Sequence, residues 1–278
     1  MEIEIETTGG SFQPGGTIDV QITIRPKKGV GIRTGQVELV CTERWWEKKS
    51  RADGGDERLE VRSGLSQPLV QSFIADTELT NLEPVVRYAR FQIPTDAPPT
   101  VYGSVAQVSW ELTGRLDTEE GDTVTQTREI TVLTPPVVQT GRSAADLTVE
   151  ETFSGCILAM VLVNDVVGAG GFLEGELRAR MDSTFQAREV RIELHTTESA
   201  GDRQAESIRQ RVSLEKNVQL TTDRPYVWAF SVPVPDRTLP TVKGKHTKVS
   251  WHLKAVVETD EATDGFRVER EVQVFTST

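Results

Sequence analysis

The sequence predicts an all-β protein built as two tandem antiparallel β-sandwich domains. Three observations carry that prediction: the two halves of the chain repeat one another, apolar residues alternate with a period of two, and a proline-rich stretch lies between the halves. The chain has 278 residues, enough for two domains of ordinary size.

The repeat is ungapped at its clearest point. Pro94, Pro99-Thr100-Val101, Gly103, Val108-Ser109-Trp110 and Leu112 recur as Pro235, Pro240-Thr241-Val242, Gly244, Val249-Ser250-Trp251 and Leu253. Each pair is 141 positions apart (235 minus 94), and these nine identities fall within the nineteen positions 94–112. Internal self-similarity of this kind means one structural unit present twice. Val37-Glu38-Leu39 with Thr42-Glu43 matches Ile192-Glu193-Leu194 with Thr197-Glu198, and Arg128-Glu129-Ile130-Thr131-Val132 matches Arg270-Glu271-Val272-Gln273-Val274. Phe12 and Gly15 pair with Phe172 and Gly175 as the opening strands.

The period of two sets which side chains enter a core. Ala106, Val108, Trp110, Leu112 and Leu116 share one face, with Gln107, Ser109, Glu111 and Thr113 on the other. Val249, Trp251, Leu253, Ala255 and Val257 point inward against Lys248, Ser250, His252 and Lys254. Ile18, Val20, Ile22 and Ile24 alternate with Thr17, Asp19, Gln21 and Thr23. One apolar and one wet face per strand is the pattern of antiparallel sheets stacked face to face. About eight strands are expected per half. The acidic segments 117–122 and 258–265 read as hairpin loops, and residues 200–211 as the place for one short helical turn.

Pro135-Pro136 lack backbone donors and stop a central strand, so residues 134–141 read as the linker. The expected domains are residues 1–140 and 141–278.

A formal net charge of -11 repels phosphate backbones, so nucleic acid is not an expected partner. Cys41 and Cys156 lie far apart and form no disulfide framework, which fits a reducing compartment. Residues 2–6 alternate Glu and Ile as a strand does and do not read as a secretion signal. The most apolar stretch, residues 155–163, is far shorter than the roughly 20 residues that span a bilayer. A cytoplasmic protein without membrane insertion is expected.

Each half therefore presents the same order of landmarks. A strand opens through an aromatic and a Gly, followed by an amphipathic strand (37–43 and 192–198). Next comes an aromatic strand ending in proline (88–94 and 226–235), and then the Pro-Thr-Val-x-Gly turn before Val-Ser-Trp-x-Leu. That order resembles the arrestin-like family over nearly the whole chain, in particular arrestin-domain-containing proteins and the smaller bacterial sporulation-control relatives. The resemblance implies two immunoglobulin-like sandwiches joined by a short linker, and a non-enzymatic scaffold or adaptor working through protein–protein contacts in a regulatory role. The family's Pro-Pro-x-Tyr motif is not matched, since Pro98-Pro99-Thr100-Val101-Tyr102 has one residue too many. Its phosphate-sensing lysine pair is not matched either: Lys27-Lys28 sit beside Pro26 in a loop.

Catalytic chemistry finds few candidates. His195 and His252 fall on the outward faces of strands and His246 at a strand start, so all three read as surface histidines. No Gly-x-Ser-x-Gly elbow, Cys-x-x-Cys pair or His-Glu-x-x-His motif occurs, and Gly168, Gly170 and Gly171 precede a strand rather than a helix. No enzyme activity, metal or cofactor is expected. Asp53 with Asp56-Glu57, and Asp260, Glu261 and Asp264, are read as solvated acidic turns, with calcium as the competing reading.

Trp110, Trp251 and Cys41 fall on apolar faces and are expected in the cores. Trp45 and Trp46 are different, because adjacent strand residues face opposite ways and both cannot enter one core. With Lys48, Lys49 and Arg51 they form the candidate partner-binding patch, an indole-plus-cation composition typical of binding hot spots. The competing reading is an indole covering the sheet rim. A carbohydrate- or peptide-binding sandwich, stacking ligand on Trp45 or Trp46, is the alternative to a protein-binding adaptor. Any oligomer would form through sheet edges.

Overall fold

The computed structural model describes residues 1–49, 58–80, 82–137, 143–259 and 265–276, and the chain is all-β. It divides into two compact units. The first comprises Met1–Thr134 together with two later segments, Ala200–Arg203 and Val242–Thr247; the second takes the rest.

In the first half of the sequence the strands are β1 (Glu2–Thr7), β2 (Ser11–Phe12), β3 (Thr17–Arg25), β4 (Val30–Lys49) and β5 (Arg58–Leu65). They are followed by β6 (Leu69–Leu79), β7 (Val85–Gln92), β8 (Val101–Tyr102), β9 (Gln107–Thr118) and β10 (Thr123–Val132). One sheet has the order β1-β3-β7, the other β2-β10-β9-β4-β5, with β6 also on β4 and β8 on β9. The apolar faces foreseen in β3 and β9 are present: Ile18, Val20, Ile22, Ile24, Val108, Trp110, Leu112 and Leu116 are all buried, although Thr23, foreseen on the wet face of β3, is buried as well. Each such aliphatic side chain contributes about 1.5–3 kcal/mol by leaving water. The apolar faces of the two sheets meet at Gly114, where a Cβ would lie 2.7 Å from Ile5 Cδ1.

The second half begins with a 3₁₀ turn (Ala144–Leu147) and continues with β11 (Thr148–Phe153), β12 (Cys156–Leu162), β13 (Val166–Gly168), β14 (Phe172–Met181) and β15 (Phe185–Ala200). Then come β16 (Arg203–Leu220), β17 (Tyr226–Pro233), β18 (Val242–Lys243), β19 (Thr247–Thr259) and β20 (Phe266–Phe275). The sheet orders are β11-β12-β14-β17 and β13-β20-β19-β15-β16. β12, β14 and β17 thus repeat β1, β3 and β7, while β13, β20, β19 and β15 repeat β2, β10, β9 and β4. β11 is an addition, and one long β16 stands where the first half has β5 and β6.

The duplication extends to individual hydrogen bonds. Trp110 Nε1 donates to Pro98 O at 2.8 Å, and Trp251 Nε1 to Leu239 O at 3.0 Å. Val132 N donates to Thr100 Oγ1 and Val274 N to Thr241 Oγ1, both at 2.9 Å. A parallel pair, uncommon in sheets otherwise antiparallel, joins β2 to β10 and β13 to β20.

Several expectations need correction. Residues 200–211 form no helical turn: Gly201, at φ 58, closes a tight hairpin and β16 begins at Arg203. The opening-strand match was out of step. Gly15 corresponds to Gly170, with φ of 76 and 81, and Phe12 occupies the place of Val167, whereas Phe172 is exposed. There are ten strands per half among the described residues, because two- and three-residue pieces pair as well. The apolar run 155–163 lies largely in β12, and among the described residues no helix is long and apolar enough to cross a membrane. The foreseen boundary near residue 140 and both ends of the second acidic loop's core (260–264) fall outside the described residues.

Candidate interaction site

On β4, Val37, Leu39, Cys41, Glu43 and Trp45 share one phase. The first three enter the core, so the same face carries Glu43 and Trp45 to the end of the sheet. Glu43 is a buried carboxylate, and it is met by a turn that offers donors. Its Oε1 accepts from Lys245 N at 2.9 Å; its Oε2 accepts from His246 N at 2.9 Å, Thr247 N at 3.2 Å and Thr247 Oγ1 at 2.9 Å. Successive backbone N–H groups in a turn make an anion-binding concavity, here filled by a side chain of the first unit itself. Gly244 lies so close that a Cβ would sit 2.7 Å from Glu43 Oε2.

Trp45 stacks on the His246 ring, with centroids 3.9 Å apart and planes 11° from parallel. Its Nε1–H donates to Glu47 Oε1 at 2.9 Å, and this bond, with Arg62 beside it, holds the Glu47 carboxyl below its ordinary value. Gly64 and Gly201 also press on the indole, leaving Cβ positions only 2.8 and 3.0 Å from it. Trp46 points to the opposite side, as the strand phase requires. There the Arg203 guanidinium lies 4.8 Å from its ring centroid, a cation–π contact. Trp46 O accepts from Asp202 N, and Lys48 N donates to Asp202 Oδ2, both at 2.8 Å. Lys48 and Lys49 are exposed, with Lys49 Nζ 3.5 Å from Glu60, and Arg51 lies outside the described residues. The structure thus places the two foreseen indoles against residues 201–203 and 245–247 of the same unit.

Beside Trp45 opens a cleft of about 460 Å³, with Leu39, Cys41, Ala97 and Trp110 on its floor and His246 on its rim. Cys41 is a thiol and not a thiolate: burial, with Glu43 nearby, pushes it up to about 12.

In the second unit His195 overturns its reading as a surface group. It does project from the face opposite Ile192 and Leu194, yet it is buried there. Long charged side chains lie over it. His195 Nδ1 is 2.8 Å from Glu206 Oε1 and Nε2 is 2.9 Å from Glu193 Oε2; Lys254 reaches the same Glu206 oxygen at 2.8 Å, and Arg191 bridges Glu193 and Glu258 at 2.6 Å each. Lys254 and His195 hold Glu206 below its ordinary value. Burial pushes Glu193 up, but Arg191 and His195 outweigh it and the net direction is down. Ser250, foreseen as outward and wet, is buried as well.

His252 Nδ1 faces Glu269 at 2.7 Å, so the imidazoles engage carboxylates or an indole, and among the described residues none is hydrogen-bonded to a serine or cysteine. Among the described residues no group of three or more His, Cys, Asp or Glu side chains could hold a metal ion. The acidic groups Asp53, Asp56-Glu57 and Asp260, Glu261, Asp264 lie outside the described residues. Glu43, Asp202, Arg203 and His246 were not foreseen as a site. The one signal for it was Glu43, a charge in phase with Val37, Leu39 and Cys41. Compared with known families and curated proteins, the chain matches no family model and no curated sequence.

Proposed function

We propose that this chain is a non-enzymatic, cytoplasmic scaffold: two β-sandwiches of arrestin-like type, joined by a short linker, that act through protein–protein contacts. The observation that carries this reading is the repeated topology. Both halves keep the strand order, the short parallel pair and the indole bond to a backbone carbonyl. A rigid frame used twice leaves its loops and faces to vary, which suits a module that presents surfaces. The commitment of the imidazoles to carboxylates and to Trp45 supports binding over nucleophilic catalysis.

The carbohydrate-binding alternative asks for an indole face open to a sugar ring. Trp45 is stacked on His246 and Trp46 lies under Arg203, which weighs against it. Affinity purification with quantitative mass spectrometry from the native host tests the proposal. A reproducible, stoichiometric protein partner supports it; turnover of ester, phosphate or glycoside substrates by the pure chain, or retention on a glycan array, overturns it.

A further inference from the structure

We infer that β5 pairs edge to edge with the β5 of a second copy of this chain, antiparallel about a two-fold axis at Val61. This inference does not depend on the adaptor reading. β5 is the terminal strand of its sheet, hydrogen-bonded to β4 along Thr42–Lys49, and among the described residues nothing pairs with its other side. A terminal strand carries a row of N–H and C=O groups ready to template another strand. The edge of β7 in the same unit is closed differently: the Gln71 side-chain amide accepts from Arg90 N at 3.0 Å and donates to Arg90 O, as a neighbouring strand would. Among the described residues no side chain does this for residues 59–64.

The side chains of β5 are those of an edge that expects cover. Val61 is 60% and Leu59 45% exposed, on one face of the strand. On the other face Glu60 and Arg62 alternate in sign, with Arg62 3.2 Å from Glu47 and 3.4 Å from Glu60.

Charge and paired length together select the partner and its register. A two-fold axis normal to a sheet pairs residues whose numbers sum to an even constant, so that like faces meet. An axis at Glu60 would set two carboxylates opposite each other, and one at Arg62 two guanidiniums; directly opposed like charges are destabilising. The axis at Val61 sets Glu60 against Arg62 twice, Val61 against Val61, and Leu59 against Ser63. An axis at Leu59 would pair only residues 58–60 of the strand and one at Ser63 only residues 61–65, whereas the axis at Val61 pairs residues 58–64, so the strand is complementary to its own copy over its greatest length in that register. Such a short pairing buries less than a permanent dimer requires, so the dimer is weak and concentration-dependent.

Sedimentation equilibrium from about 1 µM to about 1 mM tests this. The wild-type chain is expected to pass from monomer to dimer over that range. Glu60→Arg alone sets arginines against arginines and Arg62→Glu alone sets carboxylates against carboxylates, so each should weaken self-association at least about tenfold. Mixed in equal amounts, the two variants restore opposite charges at both positions and should dimerise like the wild type, which a folding defect could not produce. Val61→Lys, at an exposed site that tolerates it, should also dissociate the dimer. A wild type that stays monomeric throughout, a mixture that fails to recover association, or a Val61→Lys dimer of unchanged strength would overturn the inference.

Discussion

A carboxylate at position 43 sits where the phase of β4 places apolar side chains, and four donors are turned toward it. Removing it leaves those donors buried and unmatched. Glu43→Ala is expected to cost about 2–4 kcal/mol and Glu43→Gln about 1–2, because the amide keeps one acceptor but brings an N–H against a donor. Urea denaturation of both variants checks the magnitudes and their order. The carboxylates around His195 give a pH dependence of known sign. Glu193 and Glu206 lie below their ordinary value in the folded state, so they bind protons more weakly there than in the unfolded chain. Their stabilisation is complete above the unfolded value of 4.5 and fades as pH falls through the folded one. The difference in melting temperature between wild type and Glu206→Gln should therefore be largest near neutrality and shrink in acid. These residues show what was legible and what was not. The directions of Glu43, His195, Trp45 and Trp46 follow from strand phase. The turn that meets Glu43 and the salt lattice that buries His195 come from segments far along the chain, whose proximity no local pattern encodes.

At the scale of elements, the long alternating strands were legible because each buries one face, and the Pro-Thr-Val-x-Gly turns because their residues recur intact. The two- and three-residue strands β2, β8, β13 and β18 were not, since they are too short to carry a period. The mismatch of Phe12 with Phe172 has the same root: an aromatic and a Gly three residues apart are a weak ruler, and the true constraint is a backbone one. Gly15 and Gly170 adopt φ of 76 and 81, which an L side chain enters at a cost. Gly15→Ala and Gly170→Ala should each destabilise by about 1–2 kcal/mol, whereas Gly10→Ala, where a Cβ meets nothing within 4 Å, should be near neutral. Thermal melts of the three variants make the comparison.

For the whole molecule, one order of strands, used twice, accounts for the sheet topology, for the paired turns and for the two indoles. Unit 1 has a break between β5 and β6 where unit 2 has one strand, and unit 2 has β11 with no counterpart; neither difference alters the path from β14 to β17 or from β3 to β7. Indole hydrogen exchange reports directly on this account, using the chain with ¹⁵N-labelled tryptophan and Trp→Phe variants to assign the signals. The Nε1–H groups of Trp110 and Trp251, each enclosed and bonded to a carbonyl, should exchange slowly and with similar protection. Rapid exchange at either one, at the rate of an indole in water, would contradict the claim that the chain encloses the same unit twice.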